Sequence, residues 1–141
     1  MSAARVIVGV DGSEASRRAL RWAADYAVAM DAHIEALAVW EMPATYGWIT
    51  SAQDLSPTEA ALKGLTTVVE EVVGTTPHVE LTLARGHAAH VLVEASKRAT
   101  LLVVGSRGMG GFRGVLLGSV SQHCVQHAEC PVVVFRRAQH W

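Results

Sequence analysis

The chain has little of what several functional classes require. Its 141 residues hold only two cysteines, Cys124 and Cys130, with five residues between them. That is too few for a disulfide scaffold and the wrong spacing for a paired zinc site, so both are expected as reduced, packed thiols. No excess of basic charge exists: Lys and Arg number 12 against 13 Asp and Glu, for a formal net charge of -1. Nucleic acid and anionic membrane surfaces, which are recognised through phosphate charge, are disfavoured as partners. No apolar run is long enough to span a bilayer, and no charged segment with an apolar core and cleavage site follows Met1. A cytoplasmic protein is expected. Repeats, linkers and low-complexity stretches are also missing.

Half of the chain is hydrophobic and only 18% is charged, the balance of a sheet covered on both faces. The length suits a single domain over 1–141. Arg5 to Asp11 is a short β-branched run that ends in the turn chemistry of Asp11-Gly12-Ser13, and Ser13 to Met30 then carries Leu20, Ala23, Ala24, Ala27 and Met30 at helical spacing. His33–Trp40 reads as a second strand. The stretch from Glu41 to Ser56 has no period and reads as a long loop, a length that usually signals function or mobility. Ser56-Pro57-Thr58-Glu59 starts a second helix in capping-box spacing, running to about Gly74. Val79 to Ala84, Ala88 to Arg98, Ala99 to Val104, a helix from Gly118-Ser119 to about Ala128, and Pro131 to Phe135 complete the alternation. Five strands and four helices predict an α/β, doubly wound, parallel sheet with helices on both faces. Ligands of such folds bind outside the carboxyl ends of the strands at a topological switch point. Those ends carry Asp11, Trp40, Gly86 and Gly105.

The fourth strand empties into Gly105-Ser106-Arg107-Gly108-Met109-Gly110-Gly111, and the following helix opens with Gly118-Ser119. Glycines allow backbone amides to converge on an anion, and a helix start adds its amides and the positive end of its dipole. Together they describe an oligophosphate cradle; the bland reading is a flexible loop. Neither Gly-x4-Gly-Lys-Ser/Thr nor Gly-x-Gly-x-x-Gly is present. The spacing Gly105-x2-Gly108-x9-Gly118-Ser119, with Val8-Gly9-Val10-Asp11-Gly12-Ser13 and Cys130-Pro131-Val132-Val133-Val134, instead resembles the universal stress protein family along nearly the whole chain, a fold of the adenine-nucleotide α-hydrolase-like kind. The resemblance implies that Val10, Asp11 and Ser13 meet ribose and phosphates and that the backbone near Val39 reads adenine. It further implies that Gly105, Gly108, Gly118, Ser119 and Val120 hold the phosphates of ATP. Many relatives have a basic residue where this chain has Met109, which leaves Arg107, Arg113, a metal ion or the amides to neutralise the phosphates. Asp11 could hold the Mg2+ of Mg-ATP or serve as a helix N-cap.

Weaker signals include His123 and His127, four apart on the last helix and short of a third metal ligand, and His87 and His90, read as solvated surface. Trp22, Trp40 and Trp48 could stack on a base or simply pack. The last strand, Val132 to Phe135, has no partner beyond it and predicts a homodimer, as the resemblance does, unless Arg136 and Arg137 block that edge. No nucleophile stands beside a general base, so at most slow ATP hydrolysis is expected of a nucleotide-dependent stress-response regulator. The alternatives are an ATP-using adenylating enzyme and a ligand-free interaction module; protein partners are not identifiable.

Overall fold

The computed structural model describes residues 3–40, 57–106 and 118–136. Arg107, Gly108, Met109, Arg113, Trp48 and Ser56 therefore lie outside the described residues. The elements follow the expected alternation: β1 Arg5–Gly9, α1 Glu14–Met30, β2 His33–Trp40, α2 Pro57–Val72, β3 Val79–Arg85, α3 Ala88–Ser96, β4 Leu101–Gly105, α4 Ser119–His127 and β5 Val132–Phe135. All neighbouring strands are parallel, in the order β3-β2-β1-β4-β5. The chain moves outward from β1 through β2 to β3, then crosses back to place β4 on the other side of β1. The crevice outside the ends of β1 and β4 is thus the switch point.

Alternation along the strands sends side chains to two separate cores. On one face Val6, Val8, Val10, Ile34, Ala36, Leu101 and Val103 meet Ala19, Leu20, Ala23 and Ala27 of α1 and Leu65, Val68 and Val69 of α2. On the other, Ile7, Leu37, Leu102 and Val104 meet Leu92 and Ala95 of α3 and Cys124 of α4. The run of alanines in α1 is what brings that helix close to the sheet. Burial, then the charge of Cys130, pushes the Cys124 thiol up to about 11, so it stays protonated as a packed core group, and both cysteines are free. Trp22 is packing: its ring stacks on Tyr26 at 5.0 Å and meets Phe135 of β5 at 5.6 Å.

One charge interrupts the second core. Glu35, 1% exposed as the third residue of β2, receives Arg98 through both guanidinium nitrogens at 2.6 and 2.9 Å and Arg5 at 2.9 Å. Arg5 also reaches Glu80 on β3 at 2.9 Å. The ion network ties the start of β1, the third residue of β2, β3 and Arg98, two residues past α3, into one corner. Burial alone would push the Glu35 carboxyl up; the hydrogen bonds from Arg98 and Thr82 and the charges of Arg98 and Arg5 reverse this and hold it below the usual carboxylate range. Its contribution to stability is complete above the ordinary glutamate pKa, about 4.3, and is lost as pH falls through the depressed native value. A Glu35→Ala chain, which leaves two arginines facing an apolar floor, is predicted to lose about 3 kcal/mol of stability in urea titrations at pH 7, and less at pH 4.

Candidate functional site

The turn after β1 is built by its own side chains. Val10 is buried and its N–H donates to the Leu37 carbonyl at 2.9 Å, extending the pairing with β2 past the strand's end. Asp11 Oδ1 accepts the Ser13 N–H at 2.9 Å, and Gly12 takes φ +84°, a left-handed conformation that glycine adopts without a Cβ penalty. Ser13, not Asp11, is the N-cap of α1, its hydroxyl accepting the Ser16 N–H at 3.2 Å. Asp11 is left exposed at the mouth of the crevice, with the chemistry to accept from hydroxyls or to contact a hard cation.

Across the crevice, Gly105 ends β4 where α1 comes closest to the sheet. A Cβ there would lie 2.8 Å from the Ala15 Cβ and 3.0 Å from the backbone of Ala15 and Ser16. Glycine at this position thus sets the approach of the first turn of α1 to β4, a packing role besides any contact with a ligand. Buried Ser106 follows, donating its N–H to the Phe135 carbonyl at 2.6 Å. Its own carbonyl accepts from the Gly118 N–H at 2.6 Å and from the Ser121 hydroxyl at 2.7 Å. The segment between residues 106 and 118 is therefore pinched shut at its base.

The same bonds decide which amides at the head of α4 remain for a ligand. Gly118 is the N-cap, in extended conformation, and contributes no side-chain cap; its N–H is already committed to Ser106. The next amides, those of Ser119 and Val120, lie in the first turn, where an α-helix offers no intrahelical carbonyl. Ser119 is exposed and Val120 half-buried. The dipole of α4 thus ends on an uncapped, solvent-facing turn, while α1, starting from the other side of the same crevice, is capped by Ser13. Glu14 stands in the first turn of α1 and no acidic residue in that of α4, so of the two helix starts α4 is the one whose charge favours an anion.

Val39 lies beside Ala84 near the end of β2, half-buried. Its neighbour Trp40 has Arg85 over its ring at 5.2 Å and a buried indole N–H with no hydrogen-bond partner among the described residues. Of the residues singled out in the sequence, the structure brings Val10, Asp11, Ser13, Gly105, Gly118, Ser119 and Val120 to the carboxyl ends of β1 and β4, and Val39 to that of β2. Sequence reasoning missed Ser106 and Ser121 as the clasp. Ser121 stands three residues after Gly118, one helical turn away, and that spacing was the available signal.

A model of the Universal stress protein family matches residues 3–136. A universal stress protein of Mycobacterium tuberculosis is 34% identical over 135 residues, covering 93% of this chain and 47% of that protein; the chain spans about half the length of this and other curated mycobacterial relatives. Among solved structures, universal stress protein UspA from Lactobacillus plantarum superposes with a TM-score of 0.77 at 27% identity, over 96% of this chain and 99% of that one. A universal stress protein in complex with cAMP gives 0.67 at 26%, over 98% and 100%. A family protein of Arabidopsis thaliana with AMP bound gives 0.62 at 26%, over 96% and 92%.

Two substitutions test the geometry without any ligand. Gly105→Ala is predicted to destabilise the chain by about 1–3 kcal/mol, because its Cβ meets backbone rather than a movable side chain. Ser121→Ala, which leaves buried carbonyls short of a donor, should cost about 1–2 kcal/mol. Thermal unfolding of both variants measures the losses, and a neutral Gly105→Ala would contradict the close approach of α1.

Proposed function

We propose that this chain, which belongs to the universal stress protein family, is a nucleotide-dependent regulatory protein that holds an adenine nucleotide in the crevice between the ends of β1 and β4. The observation that carries the reading is the uncapped first turn of α4 at the switch point. Ser119 and Val120 supply amides to phosphate oxygens there, with Gly108 and Arg107 of the glycine-rich segment completing the cradle. The turn Val10-Asp11-Gly12-Ser13 faces the ribose and the inner phosphates, and the backbone at Val39 meets the base. Relatives with cAMP and with AMP bound support an adenine ligand; ATP is the form we assign, from the likeness of the Gly105-x2-Gly108-x9-Gly118-Ser119 spacing to the ATP-binding signature of the family. Asp11 is exposed and oxygen-bearing, as a contact to Mg2+ requires, but a single carboxylate holds such an ion only together with phosphate oxygens. Mg-ATP would therefore arrive as a unit, its cation screening the phosphates.

We also assign a homodimer through β5. That strand is the sheet edge, half-buried along its four residues, and Trp22, Tyr26 and Phe135 gather an aromatic cluster beside it. Relatives about twice as long as this chain have room for a second such unit within one polypeptide. Sedimentation is predicted to give twice the 15.0 kDa chain mass, and a mass of one chain at micromolar concentration contradicts the assignment.

Binding is tested by thermal unfolding with and without Mg-ATP, beside Ser119→Glu. A ligand at about 100 times its Kd stabilises by roughly 2.7 kcal/mol, on the order of 8 °C for a chain of this size. The glutamate favours the helix dipole, so the variant folds at least as well, yet it repels phosphate. The predicted result is a shift in the wild type that the variant loses. No shift in either, with no nucleotide released from the denatured wild type, contradicts the assignment and leaves a ligand-free interaction module.

A further inference from the structure

Four of the seven histidines stand in one row across the outer seam between α3 and α4. His87, at the head of α3, meets His90 with ring centroids 5.3 Å apart; His90 meets His123 of α4 at 5.7 Å; His123 meets His127 at 4.5 Å. The sequence supplies two unremarkable pairs, His87/His90 and His123/His127, and only the packing of α3 on α4 joins them. Among the described residues no three His, Cys, Asp or Glu side chains form a metal site. The ligand that four adjoining imidazoles take up without converging on a point is the proton.

We propose that this row is a proton-operated latch: neutral imidazoles pack ring against ring, edge to face in two of the three contacts, and hold the outer seam of α3 and α4 together, and acidification loads it with like charges that separate the two helices. Partial shielding of His123, then the charges of His127, His90 and His87, holds its pKa below the ordinary histidine value, about 6.5. The neighbouring charged groups do not relieve the row. On α3, Glu94 lies one turn beyond His90 and is paired with Lys97 at 2.9 Å, and Arg98 adds positive charge of its own. On the sheet face beneath, Glu35 is held by Arg98 and Arg5, and Glu80 by Arg5. On α4 the remaining titratable group facing inward is the buried Cys124 thiol, which stays protonated, and Glu129 follows that helix.

The sign follows from linkage. The unfolded chain takes up the His123 proton at a higher pH than the native one, so the stability this group contributes is present above about pH 6.5 and declines as pH falls towards its lowered native value. Histidine clusters that charge between pH 5 and 6 commonly work interfaces this way. Because α4 begins at Gly118, opening of the seam also loosens the Ser119 and Val120 amides. That consequence rests on the nucleotide reading above, whereas the latch does not.

Two readouts on nucleotide-free protein keep the two apart. In the first, the ring C–H signals of the histidines are followed by NMR from pH 8 to 5 in wild type and in His90→Gln and His127→Gln, which are exposed positions where folding should persist. The His123 midpoint is expected below the ordinary value and should rise in each variant. In the second, amide exchange, corrected for intrinsic rates, should accelerate at least tenfold more in α3 and α4 than in α1 and α2 between pH 7 and 5.5, and His90→Gln should shrink the difference. An unchanged His123 midpoint in both variants, or equal acceleration in all four helices, overturns the latch.

Discussion

The site depends on one carbonyl. Ser106, just past the end of β4, passes its N–H to the end of β5 and accepts at its oxygen from the Gly118 amide and the Ser121 hydroxyl. Three elements are fixed by these bonds: the last two strands at their ligand edge and the start of α4. The first turn of α4 is thereby held against the end of β4. The bond also consumes the Gly118 amide, so the donors proposed for phosphate begin one residue further on, at Ser119.

The second constraint is distance. Ala15 of α1 lies against Gly105 so closely that no side chain fits between, which places the Asp11–Ser13 turn and the end of β4 on the two lips of one crevice. The capping chemistry divides the work between the lips. Ser13 caps the Ser16 amide of α1, whose first turn also carries Glu14, whereas α4 has neither a side-chain cap nor an acidic residue in its first turn. Elsewhere the sheet is held by two apolar cores and by the Glu35 network, whose corner lies near the opposite, amino-terminal edge. The Glu35 network and the crevice proposed for the nucleotide thus lie towards different ends of the strands, as expected where strand ends carry function.

The sheet and the nine elements of the described residues were legible in the sequence because the strands are short apolar runs, several bounded by glycine, aspartate or proline, and the helices open on cap or turn chemistry, with alanines at helical spacing clearest in α1. The crevice was legible from Asp11-Gly12-Ser13 and Gly118-Ser119, where turn and helix-start chemistry coincide. The relations between distant segments were not. Nothing local to Ser106 says that its carbonyl serves Gly118 and Ser121, and a lone glutamate in an apolar strand does not announce which arginines will reach it. The four histidines illustrate this most directly: two pairs, 33 residues apart at His90 and His123, become one row only when right-handed crossovers lay α3 and α4 side by side.

The central claim is that the first turn of α4 is the anion-facing end of the crevice. Backbone amide shifts recorded during a titration with AMP test it most directly. The account predicts that the Ser119 and Val120 amides move furthest together with those of Asp11 and Ser13, while the amides of α2 stay in place. Shifts confined to other parts of the chain, with Ser119 and Val120 unmoved at saturation, would contradict it.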